Sequence, residues 1–424
     1  MSIAGPAVLV DPILGGRELA RAFCARGVPC VAVLTTPAIA RHPWSPQDFV
    51  AVLHHDGDIG SLARAVAEHA PLCIVAAFES GVEVADALVD LVLPGTGNEP
   101  GMSIAHRDKY RMATALRAAG VPHLRQVCSD RHEDVEEWIG EYGLENHPLV
   151  LKPPKSGGTD SVYLVAGGAD WRPSFDRILG TVNALGVRND AVLVQEFAAG
   201  AEYIVDTYSV DGRHGLVEVC RYKKYRRHDR LGVYDYIDFV APHDPAVDVL
   251  FEYTQQALGA LGIRNGAAHA EVMLTADGPI LIEVGARPAG GAHQELSRLA
   301  TGDSQHDRCV AHHVHGRFRT GYELRRQVRA VYLSCPRAGI LRNAQILDRM
   351  DALAAFHSKQ LSYGDGDVVP AGVDLMTTLG LVILAADDEL QIRAACRVIK
   401  QLEAELRVEP AAARDDPPLT AAAG

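Results

Sequence analysis

Two carboxylates inside apolar, strand-like sequence constrain this chain more than any other feature. In HAEVMLTADGPILIEVGAR (269–287), Glu271 and Glu283 lie twelve residues apart, on either side of a turn-like TADG. Strand side chains alternate faces, and directly opposed residues share one. A short turn around Asp277-Gly278 sets Glu271 roughly opposite Glu283, in a register that sequence alone leaves open. Two facing carboxylates repel, and burial raises the cost. A divalent cation between them removes the conflict, and Mg²⁺ is commonly held by one or two carboxylates together with substrate phosphates. The alternative is that both acids stand on a solvated sheet face.

The sequence upstream supplies a frame for such a pair. AVLV (7–10) reads as a buried strand, GGRELARAFCARG (15–27) as a helix stopping at Gly27, and VPCVAVLT as the next strand, followed by SLARAVAEHA and LCIVAAF. Strands alternating with helices imply a parallel sheet with crossover helices. The GG at 15–16 opens a helix after a strand, but it lacks GxGxxG spacing and suits a routine turn. From residue 103 the texture changes. SIAHRDKYRMATALRAAGVP has helical periodicity, with stop signals at Gly120 and Pro122. Strand-like segments follow in ENHPLVLKPPKSGGTDSVYLV, AVLVQEF and AEYIVDTYSVDGRHGLVEVCRYKK, the last turning at Asp211-Gly212. AVDVLFEYTQQALGALGI reads as a helix before the carboxylate hairpin. After residue 320 come strand-like RAVYLSC and GLVILAA and helical ELQIRAACRVIKQLEAELRV, then a Pro/Ala-rich tail from 409 expected to be disordered.

At 424 residues the chain suits two or three structural units, and 48% hydrophobic residues can supply their cores. A net charge of −13 argues against a nucleic-acid-binding surface, so no nucleic acid partner is expected. Apolar runs fall short of the roughly 18 residues a membrane span needs. MSIAGPAVLV leads straight into a strand pattern without the regions of a signal peptide. Eight cysteines without CxxC spacing read as the reduced thiols of a cytoplasmic protein.

Further elements carry chemistry. In KPPKSGGTDSV (152–162), Lys152 ends an apolar strand and a Gly/Ser/Thr loop follows. Backbone N–H groups of such loops approach phosphate oxygens while lysine supplies charge. The loop lacks Walker A spacing and alone also fits a plain turn. Lys109, in HRDKYRM, has the alternative of an ordinary solvated helix lysine. In VLVQEFAAGAEYIVD (192–206), Glu196 suits an adenine amino group, the backbone at Phe197 and Ala198 suits the rest of a purine, and Glu202 suits ribose hydroxyls. The same residues fit an ordinary strand–turn–strand with exposed acids. The basic run RYKKYRRHDR (221–230) suits an anionic substrate, although such runs more often mark a solvated loop. His312, His313 and His315 in AHHVHG offer metal ligands, against the simpler reading of a surface helix.

Taken in order, four segments resemble the ATP-grasp superfamily: DKYRMATALRAAGVP (108–122), PLVLKPPKSGGTDSV (148–162), VQEFAAGAEYIVD (194–206) and HAEVMLTADGPILIEVGARPAGG (269–291). The resemblance implies an α/β protein with the ATP-grasp fold. It would have an N-terminal Rossmann-like (pre-ATP-grasp) domain over 1–100 and an ATP-grasp domain over 101–320 with a small lid over about 122–198. An extra C-terminal α/β subdomain over 321–408 and the tail over 409–424 would follow. ATP and Mg²⁺ or Mn²⁺ are the cofactors so implied. Lys109 and Lys152 match the lysines on the ATP phosphates, and Gly157, Gly158 and Ser161 match the mobile loop that covers them. Glu196, Phe197 and Ala198 match the adenine contacts, Glu202 the ribose contact, and Glu271 and Glu283 the metal-binding acids. Arg287, with Lys152, matches the groups that steady the transferred phosphoryl. One departure matters: many members read E-x-N-P-R, with the Asn also on metal, whereas Gly285 holds that position here and leaves the number of metal ions open. EVGARPAGG is most similar to the bacterial L-amino-acid ligases, which make dipeptides, and Gly290, Gly291 and His293 then fall beside the substrate.

The activity implied is ATP-dependent joining of a small carboxylic acid to an amine, commonly an amino acid, through an acyl phosphate, with release of ADP and phosphate. No covalent enzyme nucleophile is needed, which suits the lack of a recognisable Ser/His/Asp or Cys/His signature. Two alternatives stand beside it: an ATP-grasp carboxylase or purine-biosynthesis ligase acting on bicarbonate or formate, and a nucleotide-binding regulatory protein without turnover. Retention of both glutamates and Arg287 counts against the second. Neither a membrane nor a nucleic acid is an expected partner, and a homodimer is left open.

Overall fold

The computed structural model describes residues 5–410 apart from 38, 40, 41, 228 and 229; the expected disordered segment 411–424 lies outside them. Near the N-terminus four parallel strands lie in the order Ala51–His54, Cys30–Leu34, Ala7–Val10, Cys73–Ala76. Helix Arg17–Cys24 packs on one face, and helices Ile59–Glu68 and Val82–Val92 pack on the other. The two middle strands are therefore buried throughout, which is why they read as unbroken apolar runs. Asp11, buried just beyond the first strand, ties the strand ends together. Its carboxylate accepts from the Thr35 N–H at 2.8 Å, from the Thr35 hydroxyl at 2.7 Å and from the Ser80 hydroxyl. That last bond anchors the short turn Glu79–Gly81.

The main sheet has twelve strands. Its antiparallel centre runs Gly278–Gly285, Gly266–Thr275, Gly200–Val210, Arg213–Arg227, Arg230–Phe239. Helix Pro245–Ala260 covers one face, where Leu250 and Tyr253 pack with Val205, Val219 and Val272. The turn at Asp211-Gly212 forms as expected, with φ of 51° and 78°, the left-handed pair that a two-residue hairpin favours. A four-stranded flap, in the order Tyr163–Val165, Leu149–Lys152, Val192–Glu196, Gln126–Ser129, packs on helices His132–Tyr142 and Arg172–Ile178. It meets the centre where Tyr163 pairs with Arg230. The C-terminal strands Gln327–Leu333, Gly380–Ala386 and Phe356–Leu361 prolong this same sheet. Helix Glu389–Ala404 completes their core, and the strand Arg407–Glu409 runs just past the expected start of the tail. Among the described residues no helix is long and apolar enough to cross a membrane.

The helical pattern from 103 is interrupted. A short 3₁₀ turn, Ser103–His106, gives way to Asp108, whose carboxylate caps helix Lys109–Ala118 by accepting from Tyr110 N–H at 2.9 Å and Arg111 N–H at 3.1 Å. The N–H of Lys109 donates to Pro154 O at 3.0 Å, so the helix start is pinned to the glycine loop. Asp108→Ala should lower stability by about 1 kcal/mol, seen as an earlier denaturant midpoint at unchanged m-value; an unmoved midpoint would show that the cap contributes nothing.

Candidate active site

The hairpin pairs Thr275 with Gly278 and runs in step to Val272 opposite Leu281. There the register shifts by one, and Glu271 pairs with Glu283 while Ile282 becomes the extra residue. In such a β-bulge two residues of one strand oppose a single partner. Leu281 and Val284 consequently both point into the core with Val272, whereas Ile282, Glu283 and Glu271 all face one cavity. The turn residues are Ala276 and Asp277 rather than Asp277-Gly278, and the bulge makes up the difference. Without it, strict alternation would send Glu283 to the face of Leu281.

The cavity measures about 550 Å³. It brings together Lys109, Lys152, Gly157, Gly158, Glu196, Phe197, Ala198, Glu202, Glu271 and Glu283. Ser161, Arg287, Gly290, Gly291 and His293 lie off its wall. Ser161 instead donates to Asp160 Oδ1 at 3.0 Å, within a loop where Gly158, Thr159 and Ser161 all have positive φ. Glu196 accepts from the Arg125 backbone N–H at 2.7 Å and its guanidinium at 2.7 and 2.8 Å, so its carboxylate is already occupied.

Charge is dense and nearly paired. Lys109 Nζ lies 2.6 Å from Glu283 Oε2 and donates to Ser156 O at 2.7 Å. Burial alone would push the Glu283 carboxyl up, but Lys109, Lys152 and Arg287 outweigh it and hold the group down at about 2. Glu271 goes the other way: burial, with Glu283 and Glu202 adding repulsion, raises it against the pull of Lys224. The Tyr222 hydroxyl donates to Glu271 Oε1 at 3.2 Å. Lys152 is brought down to about 8 by burial and by the neighbouring Lys109, despite three carboxylates around it.

Several of these residues escaped the sequence reading. Lys224 pairs with Glu202 Oε1 at 2.6 Å, and its ammonium sits 4.2 and 4.5 Å from the ring centres of Tyr222 and Tyr234. The basic run that suggested a solvated loop is instead strand, and Arg221, Lys223 and Lys224 face the cavity; 228 and 229 lie outside the described residues. The tyrosines interleaved in it, Tyr222 and Tyr225, were the available signal. His312, His313 and His315 end helix Gln305–His315, where burial and His312 press His313 down to about 4. Among the described residues no metal-competent grouping includes them.

Arg287 folds back over the strand end. Its Nε donates to Glu79 Oε2 at 2.7 Å and its Nη1 to Pro288 O at 2.8 Å, with Arg107 Nε 3.5 Å from Glu79 Oε1. Gly285 makes this possible: a Cβ there would meet Glu79 Oε2 at 3.0 Å and Arg287 Nε at 3.4 Å. The Glu79 carboxylate, from the turn that follows the N-terminal sheet's strand Cys73–Ala76, thus lies against the side-chain position of residue 285. Gly291 has φ of 61°, and a Cβ on Gly15 would meet its backbone at 3.0 Å, so the GG at 15–16 serves close packing. His293 is buried against Asp206 and Glu218, with Nε2 at 3.3 Å from Asp206 Oδ2 and 3.0 Å from Glu218 Oε1.

An opposed pair of acids lies under a glycine loop, ringed by lysines on an antiparallel sheet, an arrangement that suits a nucleotide's phosphates and a cation. The ATP-grasp domain profile matches residues 145–295, and the chain belongs to the ATP-grasp family as an ATP-dependent carboxylate–amine ligase. It is 30% identical over 416 residues to "Dapdiamide A synthase" of Enterobacter agglomerans, covering 94% of this chain and 96% of that relative. The fold is shared with the L-amino acid ligase of Bacillus licheniformis at a TM-score of 0.72 and 14% identity, over 96% of this chain and 100% of that one. It is shared too with the biotin carboxylase domain of the Hydrogenobacter thermophilus 2-oxoglutarate carboxylase, in complex with MgADP and bicarbonate. There the TM-score is 0.62 at 13% identity, over 96% and 91% of the two chains. The resemblance read from the four sequence segments is borne out.

Restoring the family's side chain at 285 should therefore harm this protein. Gly285→Asn is expected to displace Glu79 and unseat Arg287, lowering kcat by about tenfold or more with little change in ATP affinity; wild-type kcat would show that the two groups do not compete for the space.

Proposed function

We propose that the chain phosphorylates the carboxylate of an amino acid or similar small acid and hands the acyl group to an amine, in the biosynthesis of a peptide or natural product. What carries this reading is the opposition of Glu271 and Glu283 on the wall of a cavity that also holds Lys109 and Lys152. The donor set fits a hard divalent cation, Mg²⁺ or Mn²⁺. Two carboxylates face each other, Glu283 repels Glu271, and an ammonium now sits on Glu283. Such an ion, when bound, offsets charge on the transferring phosphoryl group.

The chain's own groups do the rest. Lys109 and Lys152 hold phosphate oxygens, and Lys152, at about 8, keeps its proton at neutral pH. The loop carrying Gly157 and Gly158 offers backbone N–H groups and excludes water from the reacting centre. A carboxylate oxygen of the acid attacks the γ-phosphorus and ADP leaves, giving an acyl phosphate. The amine nitrogen attacks the acyl carbon, phosphate leaves, and the nitrogen loses its proton. Arg287, steered by Glu79, supplies fixed positive charge beside the acyl phosphate. ATP and Mg²⁺ are both available in the cytoplasm, where eight free cysteines also belong.

Gly290 bears on which acid is used. A Cβ there would meet nothing within 4 Å, and unlike Gly291 it needs no left-handed backbone. Gly290→Trp should narrow the acids accepted toward small ones while leaving folding intact, read as kcat/KM across acids of graded size. An equal loss on all acids would remove Gly290 from the acyl pocket.

The reading is tested by ADP release over pairs of amino acids and small acids, with bicarbonate and formate as separate arms and mass analysis of products. ADP release that needs both an acid and an amine supports it. Dependence on bicarbonate or formate alone, or ATP binding without turnover, overturns it. Glu283→Gln should reduce ADP release by about a hundredfold or more and lower Tm, since the change removes the carboxylate that pairs with buried Lys109 and that Lys152 and Arg287 also favour.

A further inference from the structure

A second cluster of acids lies on the same sheet face, one side-chain step beyond the nucleotide cavity. Asp206 pairs across the strands with both His269 and Glu218, and His269 stands two residues before Glu271. Helix His293–Thr301 closes over the group and inserts His293. Asp206 and Glu218 are 0% exposed and His293 6%. None of the three lines the cavity.

Two features set this cluster apart from an ordinary buried ion pair. Each carboxylate has one oxygen held from behind and one left over. His269 Nδ1 lies 2.7 Å from Asp206 Oδ1, and the Ser297 hydroxyl donates to Glu218 Oε1 at 2.6 Å. Asp206 Oδ2, Glu218 Oε2 and His293 Nε2 are all buried without a well-directed hydrogen bond, although His293 Nε2 is within ion-pair distance of Asp206 Oδ2 and Glu218 Oε1. One ligand atom from each residue lies within 4.8 Å of the others, and no other trio among the described residues does this. His293 Nε2 lies 3.3 Å from Asp206 Oδ2, against about 3.4 Å between ligands of a four-coordinate ion with bonds near 2.1 Å, and 3.0 Å from Glu218 Oε1, the oxygen that also accepts from Ser297. The second feature is charge. His269 reaches only Asp206, at 2.7 Å, so the fully buried Glu218 has just a share of His293, and an undercompensated buried charge is costly. A divalent ion with a neutral imidazole offsets both carboxylates.

We propose that Asp206, Glu218 and His293 form a structural site for one divalent transition ion of the Zn²⁺ or Mn²⁺ class, separate from the nucleotide-bound metal. An imidazole nitrogen in a buried site suits these ions better than Mg²⁺, which prefers oxygen ligands and retains several waters. His269 and Ser297 act as the outer partners that orient the two carboxylates. The ion ties strands Gly200–Val210 and Arg213–Arg227 to the helix that begins six residues after Arg287, and so steadies the segment carrying that arginine.

The test uses the untagged full-length chain, purified without chelator, with metal content read by mass spectrometry. About one equivalent of a transition ion is expected, and it should persist in the Glu271→Gln/Glu283→Gln double variant and be lost from Asp206→Asn and Glu218→Gln. Zn²⁺ or Mn²⁺ alone, added to chelator-stripped protein, should raise Tm in the wild type and leave Glu218→Gln unmoved. X-ray absorption on the bound ion should report one imidazole among oxygen ligands. The proposal is overturned if the wild-type chain retains no ion and neither Zn²⁺ nor Mn²⁺ binds the stripped protein, in which case the trio is a metal-free ion pair. It is equally overturned if the ion follows Glu271 and Glu283 instead of Asp206 and Glu218. Because the wild-type measurements decide this, a variant that fails to fold leaves the answer intact.

Discussion

The face-to-face placement of Glu271 and Glu283 is the constraint around which the molecule is arranged, and it depends on one extra residue. Ile282 interrupts the alternation of its strand, so that Leu281 and Val284 both enter the core while Glu283 joins Glu271 on the opposite face. The core thereby keeps its apolar seal, and the cavity gains a second carboxylate. Repulsion between the two acids is then answered from three directions: Lys109 from a helix start, Lys152 from a strand end in the flap, and Lys224 from the strand Arg213–Arg227, two places along the sheet from that of Glu271. Each comes from a different structural element, so the site exists only when the flap, the connecting helix and the sheet are assembled together.

The N-terminal sheet contributes through a single chain of contacts. Buried Asp11 gathers Thr35 and Ser80, which anchors the turn bearing Glu79, and Glu79 holds Arg287. The arginine's orientation is thus set by an element more than two hundred residues away in sequence, as the bond between positions 79 and 287 records. Gly285 is the concession that allows it. An asparagine at that position would press on the Glu79 carboxylate, which a Cβ there would meet at 3.0 Å. The Arg287 guanidinium is thereby positioned across the interface between the two sheets.

Much of this was legible beforehand, and the exceptions have physical reasons. Glu271 and Glu283 stood out because charged residues break apolar strand patterns, and their spacing implied opposition. The bulge that achieves it leaves no mark in composition, because any residue can be the extra one. Lys109 was recognisable but the helix start was not, since periodicity runs through Arg107 and Asp108 and only the capping bonds end it. Lys224 and its two tyrosines were legible only in part: the basic run suits an anionic substrate or, more often, a solvated loop, and only the strand pairing brings Tyr222, Lys224 and Tyr234 together. Asp206, Glu218 and Glu79 were invisible for a different reason. Each is an isolated acid whose partners are remote in sequence, so nothing local distinguishes it from a surface residue. His293, read as a substrate neighbour, turns inward because the helix it begins lies flat against the sheet.

The central claim is that this site makes an acyl phosphate, and the oxygen atoms of the acid substrate report on it directly. With the carboxylate labelled by ¹⁸O and ATP unlabelled, attack on the γ-phosphorus followed by loss of phosphate transfers one labelled oxygen from the acid to the phosphate product. The account predicts one ¹⁸O in each phosphate released and one in the amide formed. Unlabelled phosphate accompanying a doubly labelled acid, or hydrolysis of ATP with oxygen taken from water, would contradict it.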